Sequence, residues 1–325
     1  MILLLAGVAG ALTGSTVLVR MFSGPMVRRG WPAAAVPVLA AGALLNAACL
    51  LMLTGLLALA LMVRVQWVAD IGEWSPAALA RTVPVPWVVE LLAAMLAAAM
   101  GARMLWRTGT LAPQLHRSNR LCRRLRSGGG SPVVFVQDTP ADAFAVAGRR
   151  GCVVISRTLF DELDPDERRV LVAHELSHLR RRHHLYVHAA DLAAAANPLL
   201  GPVAAAVRTG VERWADEDAA RDCGARVIAG RALARTALVQ TRLRRASGTP
   251  TVGRAGSELC ATASGVPERA QALLDEPAPP RWRLIGVLAA VLIVTGALTA
   301  ASLAQLHGGF ENAETDCPGL TAPVW

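Results

Sequence analysis

Residues 164–184 read DPDERRVLVAHELSHLRRRHH and carry the signals of a helix that begins at a defined residue. Asp164 suits the N-cap position, because its carboxylate can accept hydrogen bonds from the free backbone N–H groups of the first turn. Pro165 suits the first helical position, and Glu167 stands where a capping box has its acidic residue. The pattern predicts a helix from Asp164 to about His184.

That helix carries the string HELSH, which has two histidines four residues apart. At 100° per residue, His174 and His178 project within about 40° of each other, so both imidazoles can bind one metal ion. Glu175 lies beside the pair, where its carboxylate can act as general base toward a water on that metal. The string therefore predicts a zinc site with Glu175 as the catalytic residue.

A catalytic zinc ion has three protein ligands and one water, so one more ligand must come from another part of the chain. We predict that this ligand is Glu212, in the string VERWADEDAA, 34 residues after His178. Asp216 follows one helical turn later, where its carboxylate can accept the free N–H of a zinc histidine and orient the ring. The predicted helix here runs over about 211–225.

Other polar residues near these strings are predicted to have structural roles. Glu217 and Asp218 are expected on a solvated face of the second helix, paired with Arg213 and Arg221. The two histidines at 183–184 lie off the face of the zinc pair. We expect them at a plain helix end, where positive charge suits the helix dipole, and not as ligands.

Four apolar segments are long enough to cross a hydrocarbon core of about 30 Å at 1.5 Å per residue. We place the spans at 1–19, 38–63, 86–105 and within 281–306. The third span contains Glu90, which we expect to face other helices or to lie near the membrane surface, since a charge at the bilayer centre is costly. The sequence thus predicts an α-helical multi-pass membrane protein at the cell membrane.

Arginine placement predicts the orientation, because positive charge is retained on the cytoplasmic side of a membrane. The stretch 107–280 holds 25 arginines and 18 acidic residues, whereas the tail 307–325 is acidic and has no arginine. We therefore expect a cytoplasmic domain over 107–280, with the loop 64–81 and the tail outside. The positive charge of the domain suits anionic lipid, and no direct binding to nucleic acid is expected.

The polar stretch is long enough for one domain with its own core. PVVFVQ at 132–137 and CVVIS at 152–156 are typical of short strands, and RSGGGS at 126–131 is typical of a flexible joint. A short helix is predicted around 267–275. Together with the helices above, these elements predict an α+β domain.

Composition excludes several classes of site. All 33 basic residues are arginine, so the chain has no lysine for an acylating Ser-x-x-Lys motif, a phosphate-binding loop or a Schiff base. Six cysteines are scattered, with none in a Cys-x-x-Cys pair. We interpret them as free thiols and not as a disulfide framework.

The two strings together resemble a known family. HExxH followed by E-x-x-A-D-x-x-A, which begins at Glu212, is similar to the membrane gluzincin metallopeptidases. The resemblance covers roughly residues 130–275, including PADAFAVAG ahead of CVVIS, and departs at Asp142, where these families usually have asparagine. Two branches compete: the BlaR/MecR-type peptidases, here without a sensor domain, and the HtpX and CAAX-protease type. HELSHLRRRHH with the later ERWADEDAA is closer to the first branch.

The resemblance implies a cytoplasmic zincin-like domain with one Zn²⁺, held by the two histidines and Glu212. It implies an endopeptidase that cleaves protein or peptide substrates at the cytoplasmic membrane face, with a transcriptional repressor as one candidate partner. It also implies that strand 152–156 aligns the substrate by adding it as a neighbouring strand. The alternatives are HtpX-like quality control of membrane proteins and a noncatalytic zinc-binding membrane scaffold.

Residues 185–207 are apolar enough to form a fifth span, but several polar residues and prolines interrupt them. If this segment crossed the bilayer, Glu212 and His174 would lie on opposite sides of the membrane. One protein could not then supply all three zinc ligands. We therefore predict an apolar helical hairpin that packs on the domain or enters the membrane without crossing it.

Overall fold

A computed structural model describes residues 2–71, 73–82, 84–125, 131–137, 142–146, 148, 151–246, 265–275 and 282–315. The described part is mostly helical and contains a small three-stranded sheet. The predicted flexible joint lies outside the described residues except for Ser131. The last ten residues of the predicted tail, 316–325, also lie outside them.

Four described helices are long and apolar enough to cross a membrane. They are α1 (Ile2–Arg29), α2 (Pro32–Val63), α5 (Trp87–Leu125) and α12 (Trp282–Thr315). Each covers nearly all of one predicted span and extends beyond it, most of all α5, which continues for twenty residues past the predicted end at 105. Two short helices connect α2 with α5, namely α3 (Gln66–Ile71) and α4 (Pro76–Thr82).

Glu90 lies in the first turn of α5 and is buried. Arg64, just after α2, donates hydrogen bonds to both of its carboxylate oxygens, from Nε at 2.6 Å and from Nη2 at 2.9 Å. The acid therefore faces another helix near a helix end, as the sequence predicts, and its charge is paired.

The remaining helices and the strands lie between α5 and α12. The helices are α6 (Arg157–Asp161), α7 (Pro165–Arg180), α8 (His183–Ala196), α9 (Gly201–Asp222), α10 (Arg226–Ala246) and α11 (Val266–Leu274). The strands are β1 (Val133–Val136), β2 (Ala143–Val146) and β3 (Cys152–Ser156). The sequence analysis predicted α7, α11 and part of α9, but it did not predict α10.

The start of α7 is the one that the sequence predicts. Asp164 Oδ1 accepts the backbone N–H of Asp166 at 3.0 Å and of Glu167 at 2.9 Å, while Glu167 Oε2 accepts the N–H of Asp164 at 3.0 Å. The predicted end near His184 is wrong. Arg182 adopts a left-handed conformation with φ 52°, which ends α7 at Arg180 and starts α8 in a new direction.

Removing this cap should weaken the domain. We expect Asp164→Ala to lower the free energy of unfolding by about 1 kcal/mol, because the first-turn N–H groups lose their acceptor. Thermal unfolding of the full-length protein measures the effect. Asp161→Ala, an exposed acid with no capping role, is the control and should change stability by less than about 0.5 kcal/mol. Equal losses in the two variants would contradict the capping role.

The sheet has the strand order β1-β3-β2. β3 pairs in parallel with β1, where Val134 lies opposite Val154, and antiparallel with β2, where Phe144 lies opposite Val154. Both edges of β3 are therefore hydrogen-bonded and cannot receive another strand. The expectation that strand 152–156 aligns a substrate is wrong, and β2 is the edge strand on that side of the sheet.

Residues 185–207 lie in α8, a 3-10 turn at Pro198–Leu200 and the first turns of α9. These elements pack against α1, α2 and α5 in the largest apolar cluster of the described residues, which includes the fully buried Leu39 and Val207. At the turn, Asn197 Nδ2 donates to Asn46 Oδ1 of α2 at 3.3 Å. Asn46 Nδ2 in turn donates to Ser15 Oγ of α1 at 2.9 Å. The turn is thus hydrogen-bonded within the candidate membrane helices.

A buried acid links the hairpin to α5. Asp191 of α8 accepts a hydrogen bond from Arg107 Nη2 of α5 at 2.8 Å and a second one from Arg208 of α9. Arg208 lies one helical turn before Glu212. The ion pairs of Asp191 therefore fix the part of α9 that directly precedes Glu212.

Candidate metal centre

The two predicted strings meet where α7 packs against α9. Ligand atoms of His174, His178 and Glu212 lie within 4.8 Å of one another. The two Nε2 atoms of the histidines are 3.2 Å apart, and the carboxylate oxygens of Glu212 lie 3.7 Å and 3.6 Å from them. Three atoms of the kinds that zinc prefers therefore face one point.

Asp216 orients the first histidine. Its Oδ1 lies 3.0 Å from His174 Nδ1, which leaves the other ring nitrogen directed at the common point. Asp216 is one turn beyond Glu212 on α9 and is buried. This is the contact that the spacing between the two acids predicts.

His183 holds the second histidine, and the sequence analysis missed it. Its Nδ1 lies 3.0 Å from His178 Nδ1, and its ring is fully buried with its centroid 4.9 Å from that of Trp214. The expectation of a plain helix end is wrong for His183, because the left-handed residue Arg182 turns the first residue of α8 back toward α7. His184 faces away and packs near His188. Helical periodicity could not reveal this contact, since the helix is broken between the two histidines.

Arg269 of α11 is the second residue that sequence reasoning missed. It donates from Nε and Nη2 to the two carboxylate oxygens of Asp216, both at 2.7 Å, and its Nη1 lies 3.0 Å from Glu212 Oε2. Its side chain is buried. The sequence offers no local signal for this role, because Arg269 lies 53 residues after Asp216 and only the packing of α11 brings it to the site.

The charges of the site follow from these contacts. Burial would raise the pKa of Glu212, but Arg269 and the two histidines together outweigh it and lower that pKa to about 2. The pKa of Asp216 is lowered in the same way by Arg269 and His174. Burial lowers the pKa of His178 to about 4, so its ring is neutral at pH 7 and has a lone pair for a metal. Burial would lower the pKa of His174, but Asp216 and Glu212 together outweigh it and raise that pKa to about 10. The metal-free site therefore holds anionic oxygens, one protonated ring and one neutral ring, and a metal ion would replace the proton of His174.

Glu175 is buried beside this centre. Burial raises the pKa of its carboxyl to about 7, against the opposing effect of His174. The backbone N–H of Ala145 in β2 donates a hydrogen bond to it. A carboxyl with a pKa near neutrality can both accept and return a proton at physiological pH.

The residues present fit a metal ion. Glu212 Oε2 is buried without a hydrogen bond, since Arg269 Nη1 approaches it outside hydrogen-bonding geometry. An oxygen that accepts no hydrogen bond keeps its lone pairs for a metal ion. Two imidazoles and one carboxylate are a donor set of catalytic zinc sites.

A cleft opens on the centre. Its polar lining next to Glu175 includes Asp142 and Gln240, whose Nε2 donates to Asp142 Oδ1 at 3.4 Å. Its apolar lining comes from four helices, α7, α9, α10 and α11. The apolar side chains are those of Val170, Leu171, Ala219, Ala229, Ala232, Leu233, Val266 and Leu273. Ala143 places edge strand β2 on the rim. An extended peptide can therefore lie along β2 with one side chain in the apolar part.

The expectation of a solvated acidic face on α9 is wrong for Asp218. This residue is buried and accepts hydrogen bonds from Ser177 Oγ at 2.8 Å and from Arg181 Nε at 2.9 Å, both belonging to the α7 region. It also pairs with Arg221, as predicted. Glu217 pairs with Arg226 of α10 instead of Arg213. Asp218 therefore joins α9 to the helix that carries HELSH.

A family model described as Peptidase family M48 matches residues 119–282, half of the chain. The chain belongs to peptidase family M48. M48 peptidases are zinc metallopeptidases, and the three converging ligand atoms lie inside the matched residues. Comparisons with curated proteins and with solved structures give no match. The M48 match and the four candidate spans support a membrane-type metalloprotease.

The contact between His178 and His183 should tune metal binding in this M48 chain. We expect His183→Ala to weaken zinc affinity about 10–100-fold, because His178 loses the partner that orients its ring. Competition with a chelator of known affinity measures the change. His184→Ala alters the adjacent histidine, which faces away, and should leave the affinity within about twofold. Similar losses in both variants would contradict the role of His183.

Proposed function

We propose that this protein is a zinc-dependent endopeptidase that hydrolyses peptide bonds of protein substrates at a membrane surface. The observation that carries the proposal is the convergence of His174, His178 and Glu212 beside a buried acid, Glu175, on the rim of a cleft. Membership of family M48 and the four candidate spans support it.

The mechanism assigns one role to each residue. His174, His178 and Glu212 hold the ion, and Asp216 keeps the ring of His174 oriented. A bound zinc ion supplies a Lewis acid that polarises the scissile carbonyl and stabilises the negative charge on its oxygen. Glu175 takes a proton from the attacking water and passes it to the nitrogen of the leaving amine.

Edge strand β2 is the element on which we propose that substrates align. An extended peptide can continue the sheet beyond β2, with main-chain hydrogen bonds that do not depend on its sequence. The backbone of Ala145 contacts Glu175, so a scissile bond beside β2 would lie close to the acid. β2 thereby takes the role that the sequence led us to expect of strand 152–156.

We further propose the topology that arginine placement predicts. The peptidase domain, residues 107–280, lies in the cytoplasm with hairpin 185–207 against the membrane helices, and the tail 307–325 lies outside. Within the family resemblance we assign the chain to the BlaR/MecR-type branch, which implies cleavage of a repressor. The HELSHLRRRHH string with ERWADEDAA supports this assignment over the HtpX type.

Metal removal tests the proposed chemistry. We expect the purified full-length protein to carry one zinc per chain and to hydrolyse a mixture of fluorogenic peptides. Treatment with 1,10-phenanthroline should abolish hydrolysis, and added zinc should restore it. Elemental analysis and the rate of fluorescence increase give the two readouts. A protein that binds zinc without hydrolysing any peptide or protein would support the scaffold alternative, and hydrolysis that persists without metal would refute the mechanism.

A further inference from the structure

Two buried cysteines meet at the junction between α5 and the sheet. Cys122 lies in the last turn of α5 and Cys152 is the first residue of β3, and their sulfur atoms are 2.7 Å apart. Unbonded carbon atoms pack best at about 3.5–4.0 Å, and sulfur is a larger atom. A disulfide bond is about 2.05 Å long. The two sulfurs are thus closer to bonding distance than to ordinary contact.

We propose that Cys122 and Cys152 form a reversible disulfide when the protein meets a peroxide. The bond would cross-link the end of the third candidate span to the central strand of the sheet. This inference does not depend on the proposed proteolytic function, because it rests on the two thiols alone.

The chemistry balances with hydrogen peroxide as the oxidant. One thiolate attacks the peroxide, which breaks the O–O bond and leaves a sulfenic acid and, after protonation, one water. The second thiol then attacks the sulfenic sulfur and releases a second water as the S–S bond forms. Two thiols are oxidised, one peroxide is reduced, and a thiol reductant reverses the cross-link.

The position of Cys122 gives the oxidant a route. Helix α5 ends at Leu125, three residues later, and terminal helical turns open at low free-energy cost. Opening of this single turn exposes the thiol without unfolding the sheet.

Other described cysteines do not compete for this pair. Cys49 packs in α2 beside Val8, and Cys223 lies at the end of α9 in the cluster that contains Val170. Cys122 and Cys152 share a third cluster with Val146 and Val154.

The cross-link would reach the strand that contacts the active site. The thiol of Cys122 faces the carbonyl oxygen of Val146, the last residue of β2, at 3.7 Å. β2 also donates a hydrogen bond from Ala145 to Glu175. A disulfide at Cys152 would therefore tie α5 to the strands that flank the catalytic acid.

Counting alkylated thiols tests the proposal directly. The full-length protein in detergent is treated with hydrogen peroxide or left untreated, unfolded in N-ethylmaleimide and weighed by intact mass spectrometry. For each protein, the loss is the difference in N-ethylmaleimide adducts between the untreated and the oxidised sample. We expect the wild type to lose two more adducts than Cys122→Ala or Cys152→Ala. Cys223→Ala is the matched control and should lose as many adducts as the wild type. Peptide mapping of the wild type should show the two segments joined with the loss of two hydrogen atoms.

Thermal unfolding provides a second readout that needs no variant. Oxidation should raise the midpoint of the wild type by at least about 5 °C, because the bond closes a long loop, and a phosphine reductant should reverse the rise. The proposal is overturned if the oxidised wild type keeps all its adducts, if either alanine variant loses as many as the wild type, or if the map joins different cysteines.

Discussion

Glu175→Gln should reduce peptide hydrolysis about 10³-fold or more while the protein keeps its zinc. Glutamine has the same size and fits the same buried site, but it cannot take a proton from water or return one to the leaving amine. The three residues that converge on the metal position are unchanged in this variant. Rates with a fluorogenic peptide and zinc content by elemental analysis measure the two expectations.

Glu217→Gln is the matched control for this experiment. Glu217 directly follows Asp216 in the sequence, but its carboxylate pairs with Arg226 and is not among the three converging ligand groups. The control should hydrolyse peptide within about twofold of the wild type. A Glu175→Gln variant that stays within tenfold of the wild type would exclude Glu175 as the general base.

Glu175→Gln also separates the candidate roles, because it should bind a substrate without hydrolysing it. Mass spectrometry of the proteins that co-purify with it, compared with the wild type, identifies the class of substrate. A single small DNA-binding repressor would support the BlaR/MecR-type role, and many damaged membrane proteins would support the HtpX type. Equal recovery of intact partners by both forms would support the scaffold.

Arg269→Met should lower the free energy of unfolding of the zinc-free protein by about 3–5 kcal/mol. The guanidinium is a permanent cation that contacts both Asp216 and Glu212, and all three side chains are largely shielded from water. Methionine fills similar space but leaves the two carboxylates close together without that cation. Chemical denaturation in the presence of a chelator measures the loss.

Arg180→Met is the control, because Arg180 also pairs with an acid, Asp222, but at an exposed position. Its removal should cost no more than about 1 kcal/mol, since water screens exposed pairs. Added zinc should recover part of the stability of Arg269→Met, because the metal supplies positive charge at Glu212. If the two arginine variants lose equal stability, Arg269 does not hold the site together.

Local patterns in the sequence predicted the parts of the site that lie on single helices. The cap at Asp164 and the spacing of His174 and His178 depend only on residues within a few turns. The contact of Asp216 with His174 could also be predicted, since Asp216 lies one turn from Glu212 on the same helix. The four apolar spans depend on composition over about twenty residues, which the sequence displays directly.

Tertiary structure decided the contacts that join distant segments. His183 reaches His178 because one left-handed residue reverses the chain, and Arg269 reaches Asp216 because α11 packs across the end of α9. Asp218 is buried because α9 packs against α7, where Ser177 donates a hydrogen bond to it. Strand β3 is central because β1 and β2 both pair with it. The sequence by itself determined the helix that carries HELSH, the chemistry of its side chains and the apolar spans, because these follow from residues near one another in the chain. The fold alone determined which buried charges and rings support them, because such partners come together only when separate helices pack.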